Sequence, residues 1–293
     1  MGLNKEAIKI GFAYVGIVVG AGFSTGQEVM QFFTPFGLWS YIGVIISGFI
    51  LGFIGRQVAK IGTAFEAKNH ESTLQYVFGK KFSKVFDYIL VFFLFGIAVT
   101  MIAGSGSTFE QSFGIPTWLG ALIMTVLIYL TLLLDFNKIV RALGIITPFL
   151  IIMVILIAVF YLFTGSISLG EVNSAMPETS AWKGIFWGLV YGGLAFAVGF
   201  STIVAIGGDA SKRRVSGAGA MFGGVLYAIL LALINFSLQT EYSKIKDVAI
   251  PTLNLAKGIH PWLGLVLTVI MLAVMYNTCL LYTSPSPRDK RQS

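Results

Sequence analysis

The chain has 293 residues, 56% of them hydrophobic and 14% aromatic, and only 11% are charged, against about 25% in an ordinary soluble domain. With a mean hydropathy of +0.84, this excludes a water-soluble globule, a disordered chain and a fibre, and leaves a protein whose surface faces lipid. The formal charge of +7 does not point to nucleic acid, because the basic residues fall in short blocks between long apolar runs, as in polytopic membrane proteins.

Charge-free apolar stretches run at about 10–34, 38–54, 88–105, 118–134, 142–163, 184–207, 217–238 and 262–281. Most are long enough to cross hydrocarbon about 30 Å thick. The predicted fold class is therefore all-α, a polytopic transmembrane helical bundle. Lys5 and Lys9 ahead of an apolar core resemble the start of a signal peptide, but membrane-like sequence continues past the first polar break, so this stretch reads as a retained span. A cytoplasmic amino-terminus places Lys5, Lys9, Arg56, Lys60, Lys68, Lys80, Lys81, Lys84, Lys138, Arg141, Lys212, Arg213 and Arg214 inside. Only Lys183, Lys244, Lys246 and Lys257 then lie outside, an asymmetry that predicts a multi-pass protein of the cytoplasmic membrane with that orientation.

Two connections have structure of their own. Residues 62–81 mix apolar and charged positions like an interfacial helix on the inner face. Residues 239–261, with an apolar stretch around Pro251, read either as a lid or as a plain surface hairpin. His70 and His260 fall in polar connections and read as solvated. Asp87 reads as an inner-interface residue, and Asn235 and Gln239 as interhelical hydrogen-bond partners.

In the first span, VGAGFSTGQEV places three glycines with Ser24 and Thr25 in mid-membrane, ahead of Gln27 and Glu28. A shift of 177 residues superposes Gly11, Tyr14, Gly16, Gly22, Phe23, Ser24 and Thr25 on Gly188, Tyr191, Gly193, Gly199, Phe200, Ser201 and Thr202. The same shift carries the second span onto the seventh and the third onto the eighth. Five spans per unit is an odd number, so the second unit enters from the opposite side, as an inverted-topology repeat with a discontinuous helix opening each half. The expected organisation is a first five-helix repeat over 1–163 and an incomplete inverted second repeat over 182–278. Partners for the fourth and fifth spans would fall beyond residue 293, and the fold is expected to be truncated after helix 8. From Tyr282 the apolar pattern stops, and 279–293 reads as a non-native tail, the other reading being a basic cytoplasmic tail.

GAGFSTGQE in the first helix, the matching GFST in the sixth and the five-plus-five layout resemble the amino acid, polyamine and organocation transporter superfamily with its LeuT-type fold. Within it, the first-helix motif is similar to that of the bacterial YkvI-type group of membrane proteins.

Unwinding a membrane helix leaves orphan carbonyls and N–H groups that protein, water or ligand must satisfy. The N–H groups of Ser24, Thr25 and Gly26 suit a carboxylate, and the carbonyls near Gly20 and Ala21 suit an ammonium group or Na+. A zwitterionic amino acid matches both. The expected substrate site comprises Gly20, Ala21, Gly22, Phe23, Ser24, Thr25 and Gly26 with Tyr191, Phe196, Gly199, Phe200, Ser201 and Thr202. The other reading of these small residues is close helix packing.

Glu28 is an intramembrane carboxylate, read as a proton-coupling group, a gate partner or a solvated residue at the outer interface. The resemblance further implies a possible cation site at Gly20, Asn277 and Thr278, with coupling to Na+ or H+ open and no other cofactor or metal. The expected function is a secondary active transporter of an amino acid or similar small zwitterion working by alternating access. The alternative is an amino-acid-sensing receptor subunit without transport. An enzyme is not expected, since no embedded His, carboxylate pair or Ser/His arrangement is present. The expected partners are the small zwitterion and the lipid bilayer, with no nucleic acid and the oligomeric state open.

Overall fold

The computed structural model describes residues 4–67, 70–133, 146–167 and 170–283, and the regular structure there is helical throughout. The first apolar stretch forms three pieces. Helix α1 (Lys5–Val18) starts at Asn4, whose side chain accepts the Glu6 N–H at 3.2 Å. It ends where Val19 leaves the helical region, at ψ 74°. A short α2 (Ala21–Thr25) and α3 (Gln27–Phe32) follow, separated by Gly26 at φ +79°, a left-handed conformation that glycine adopts without Cβ strain.

Then come α4 (Thr34–Ala64), α5 (Glu71–Phe113), α6 (Thr117–Leu132) and α7 (Ile146–Thr164). The second half holds α8 (Ala181–Gly208), α9 (Arg213–Thr240), α10 (Pro251–Ile259) and α11 (Pro261–Thr283). Five of these, α4, α5, α8, α9 and α11, are long and apolar enough to cross a membrane. Within the described residues, all eight expected apolar stretches are thus helical. The outward side of α5 carries Tyr88, Phe92 and Phe95 in the open, as a lipid-facing helix requires.

Contrary to expectation, the sixth stretch is not broken. Helix α8 runs 28 residues without interruption through Gly199, Phe200, Ser201 and Thr202. Its small residues serve close packing. A Cβ added at Gly188 would strike the backbone of Gly43 on α4, and Ser47 donates to the Gly188 carbonyl at 2.8 Å. Likewise Gly207 lies on the Ala59 carbonyl, and Gly199 faces Val18 and Tyr14. Backbone-to-backbone packing of this kind compensates for the missing side chains. Helix α1 makes the matching contact on α9, with Gly11 against Phe222 and Gly219.

Several contacts define one end of the bundle. Glu6 accepts the Ser211 N–H at 2.8 Å, and Thr63 donates to the Gly207 carbonyl at 2.7 Å. This amino-terminal face also carries the start of α5. The expected interfacial helix over 62–81 is divided, because α4 continues to Ala64 and α5 turns at Gly79 (φ +75°), leaving 71–78 as the interfacial part. His70 is not a solvated loop residue: it is half-buried, and its Nε2 lies 2.7 Å from Asp87 Oδ1. Lys68, Lys138 and Arg141 lie outside the described residues. Helix α11 continues through buried Cys279 and Leu280 to Thr283, and 284–293 lies outside the described residues.

At the opposite face, Asn235 and Gln239 bind the turn that opens α4, as expected. Asn235 donates to Ser40 Oγ at 2.8 Å, and Gln239 donates to the Gly37 carbonyl at 2.8 Å.

Candidate functional site

The break in the first span positions its chemistry. Helix α1 stops at Val18, so its last carbonyls have no helical donors four residues on. The left-handed turn at Gly26 then redirects the chain so that Glu28, in the first turn of α3, folds back over Gly22. A Cβ at Gly22 would overlap the Glu28 carboxyl group. A buried carboxylate is costly unless hydrogen-bonded, and Tyr191 of α8 donates its hydroxyl to Glu28 Oε2 at 3.2 Å. Tyr191 meets the hydroxyl of Tyr227 on α9 in turn, and the rings of Phe32 and Phe33 pack on it at 5.3 and 5.0 Å.

Glu28 and Tyr191 open on a cavity of about 50 Å3, lined also by Val18, Gly20, Thr100, Met101, Leu194 and Thr278. Thr100 donates to the Ile97 carbonyl at 2.8 Å and Thr278 to the Val274 carbonyl at 2.9 Å. Each hydroxyl proton is thereby committed to its own helix, which leaves the oxygens as acceptors. A carboxylate and two acceptor hydroxyls suit a small hard cation or an ammonium group. The volume is that of an ion with a water or two, since a water's share of the liquid is about 30 Å3. A larger solute requires the helices around it to separate.

The structure brings together part of the expected site. Gly20, Glu28, Tyr191 and Thr278 share one cavity, and Gly22 touches the carboxylate. Ala21 opens α2. Phe23 is buried against Tyr227, ring centres 5.4 Å apart. The N–H groups expected to hold a carboxylate have protein partners: Ser24 N donates to the Gly20 carbonyl and Gly26 N to the Phe23 carbonyl, both at 3.1 Å. Thr25 closes its own turn, donating to the Gly22 carbonyl at 3.0 Å and accepting from Gln27 N at 3.3 Å.

Asn277 does not line the cavity, being one position and so about 100° round the helix from Thr278. Phe196, Gly199, Phe200, Ser201 and Thr202 do not line it either. The unbroken α8 carries them past it, and Phe200 packs towards His70 at 6.3 Å. Of the expected second half-site, Tyr191 alone reaches the cavity.

The segment read as either a lid or a surface hairpin lies against the break. Thr252 of α10 donates to the Ser24 carbonyl, and Gln27 donates to the Ala249 carbonyl. Gln111 of α5 clasps the Ile250 backbone in both directions, accepting its N–H at 3.0 Å and donating to its carbonyl at 3.2 Å. Tyr227, Thr100, Thr252 and Gln111 were not visible in the sequence as site residues. Thr100 and Tyr227 carry the same weak local signal, a hydroxyl within an apolar span.

Apolar helices of spanning length folded around a buried carboxylate define a helical membrane protein. No family model matches the chain. It is similar to the uncharacterised membrane protein YkvI of Bacillus subtilis (strain 168), 28% identical over 236 residues that cover 80% of this chain and 67% of YkvI. It is also similar to the uncharacterised protein YyaD of the same organism, 21% identical over 276 residues, 94% of this chain and 79% of YyaD. Among solved structures, a manganese transporter of Eremococcus coleocola, in complex with an aromatic bis-isothiourea compound, aligns at 14% identity and a TM-score of 0.49. That alignment covers 93% of this chain and 62% of the transporter chain.

Proposed function

We propose that this protein is a secondary active transporter of an amino acid or similar small zwitterion in the cytoplasmic membrane, with its amino-terminus inside. The observation that carries this reading is the return of Glu28 across the broken first span into a cavity shared with Gly20 and Thr278. A carboxylate inside the membrane at an interrupted helix is the arrangement by which transporters hold a cation at the midplane. The ammonium end of the solute, or a coupling Na+ or H+, takes the place beside Glu28. The solute's carboxylate requires N–H groups of α2 that here bond the Gly20 and Phe23 carbonyls, so α2 must unwind to receive it.

The matched glycine contacts, α1 on α9 and α8 on α4, support an inverted repeat in which each opening helix packs on the other unit. The basic residues concentrated at the amino-terminal face support the inward orientation. With no chemistry beyond binding and release assigned to the cavity, we read the protein as a carrier and not an enzyme.

The test is uptake. Protein reconstituted in liposomes should accumulate radiolabelled amino acids under an imposed Na+ or proton gradient, and Glu28→Gln should reduce this at least about tenfold. Ligand binding with no flux under either gradient would defeat the transport reading and leave a sensor.

A further inference from the structure

A second recess, of about 920 Å3, lies at the amino-terminal face between α4 and α9 and shares no lining residue with the Glu28 cavity. Arg56 and Lys60 stand one turn apart on α4. A Cβ at Gly217 would lie 2.9 Å from Lys60 Cε and 3.2 Å from Arg56 Cγ, so both aliphatic stems rest on bare backbone of α9. Long basic side chains laid down in this way carry their charges towards the membrane surface. Arg213 and Arg214 at the start of α9 complete a rim of four cations, and among the described residues no acidic one lines the recess.

The wall changes character along α9. Positions 213, 217, 221 and 225 recur at four-residue steps on one face, passing from Arg213 over Gly217 to Met221 and Val225. Val225 is half exposed. At 1.5 Å per residue, Arg214 to Val225 spans about 16 Å, which is close to one leaflet of hydrocarbon about 30 Å thick.

We infer that this recess binds an anionic phospholipid, its phosphate on Arg56, Lys60, Arg213 and Arg214 and an acyl chain along Met221 and Val225. A free phosphate leaves the apolar wall unused. A zwitterionic lipid presents its own ammonium group to this rim of cations. Basic recesses between spanning helices at a membrane surface have the chemistry that anionic headgroups require.

The experiment compares retention of phosphatidylglycerol and phosphatidylcholine with identical acyl chains on the intact protein, by native mass spectrometry from mixed micelles. Phosphatidylglycerol should be preferred by about tenfold or more. Arg213→Gln with Arg214→Gln, both exposed at a helix start, should reduce that preference at least about fivefold. Arg56→Gln with Lys60→Gln should do the same, while Lys183→Gln with Lys246→Gln, at the opposite face, should leave it unchanged. Thermal unfolding in phosphatidylcholine micelles reports whether each variant is folded, and the two rim pairs are independent of each other. Equal retention of the two lipids by the unaltered protein overturns the inference, as does an undiminished preference in both rim variants. Displacement of the lipid by millimolar inorganic phosphate assigns the rim to a soluble anion and overturns it as well.

Discussion

The Tyr191 hydroxyl donates to Glu28 across 3.2 Å and so ties the piece of chain beyond the first-span break to the middle of α8. Hydrogen bonds to charged groups contribute about 1.5–3 kcal/mol, and the bond matters more where water is excluded. A double-mutant cycle of Glu28→Gln and Tyr191→Phe, read by thermal unfolding in detergent, should give a coupling of that size. Additive effects would mean that the two side chains act independently.

Gly22 sits under the same carboxylate. Gly22→Ala should displace Glu28 and reduce uptake at least about tenfold while the bundle stays folded. Gly193, with nothing within 4 Å of an added Cβ, is the control. Gly193→Ala should be neutral or stabilising by about 0.5–1 kcal/mol, since alanine favours a helix. If both substitutions reduce uptake equally, steric displacement of Glu28 is not the cause.

The α10 cover should loosen when its hydrogen bonds are removed. Thr252→Val takes away the bond to the Ser24 carbonyl, and Gln111→Leu removes the clasp on Ile250. At about 1 kcal/mol per bond, amide hydrogen exchange at 20–28 should speed up at least about fivefold in each variant. Exchange unchanged there would show that α10 does not guard the break.

Ser201 and Thr202 are carried past the cavity by an unbroken helix. Ser201→Ala and Thr202→Val should therefore leave uptake within about twofold of the unaltered protein. A loss comparable to that of Glu28→Gln would mean that α8 opens in another conformation of the cycle.

Glu241 accepts Ser166 N at 3.0 Å and Ser166 Oγ at 2.7 Å, and pairs with Lys244. Burial pushes its carboxyl group up, but the bonds from Lys244 and Ser166 outweigh this and hold it below its ordinary value. A depressed native pKa means that the ionised group stabilises the fold above its unfolded value of about 4.3, and that this contribution disappears as pH falls through the native value. Glu241→Gln should lower stability at pH 7 by about 1–3 kcal/mol, and the difference should close on acidification. A gap that widens in acid would contradict this.

The eight apolar stretches were legible in the sequence because lipid sets a composition and a length that few other environments impose. The first break was legible too, since glycines with Ser24 and Thr25 in an apolar helix weaken it. Gly22, Phe23, Ser24 and Thr25 are helical in α2, as Gly199, Phe200, Ser201 and Thr202 are in α8, and what differs is the flanking chain. Gly199 lies against Val18 and Tyr14, whereas Gly26 must take a positive φ. Tyr227 and Thr252 enter the site through apposition to distant segments, and nothing next to them in the chain marks that.

The contact of Gly43 with Gly188 bears on how the bundle can move. Two helices touching main chain to main chain have no layer of side chains to slide on, and any shift drives neighbouring Cβ atoms into a carbonyl. Helices α4 and α8 therefore travel as one rigid plank. The first span has compliance of its own at the two joints where it leaves the helical conformation, Val19–Gly20 and Gly26, so that it flexes like a two-knuckled finger against a stiff palm.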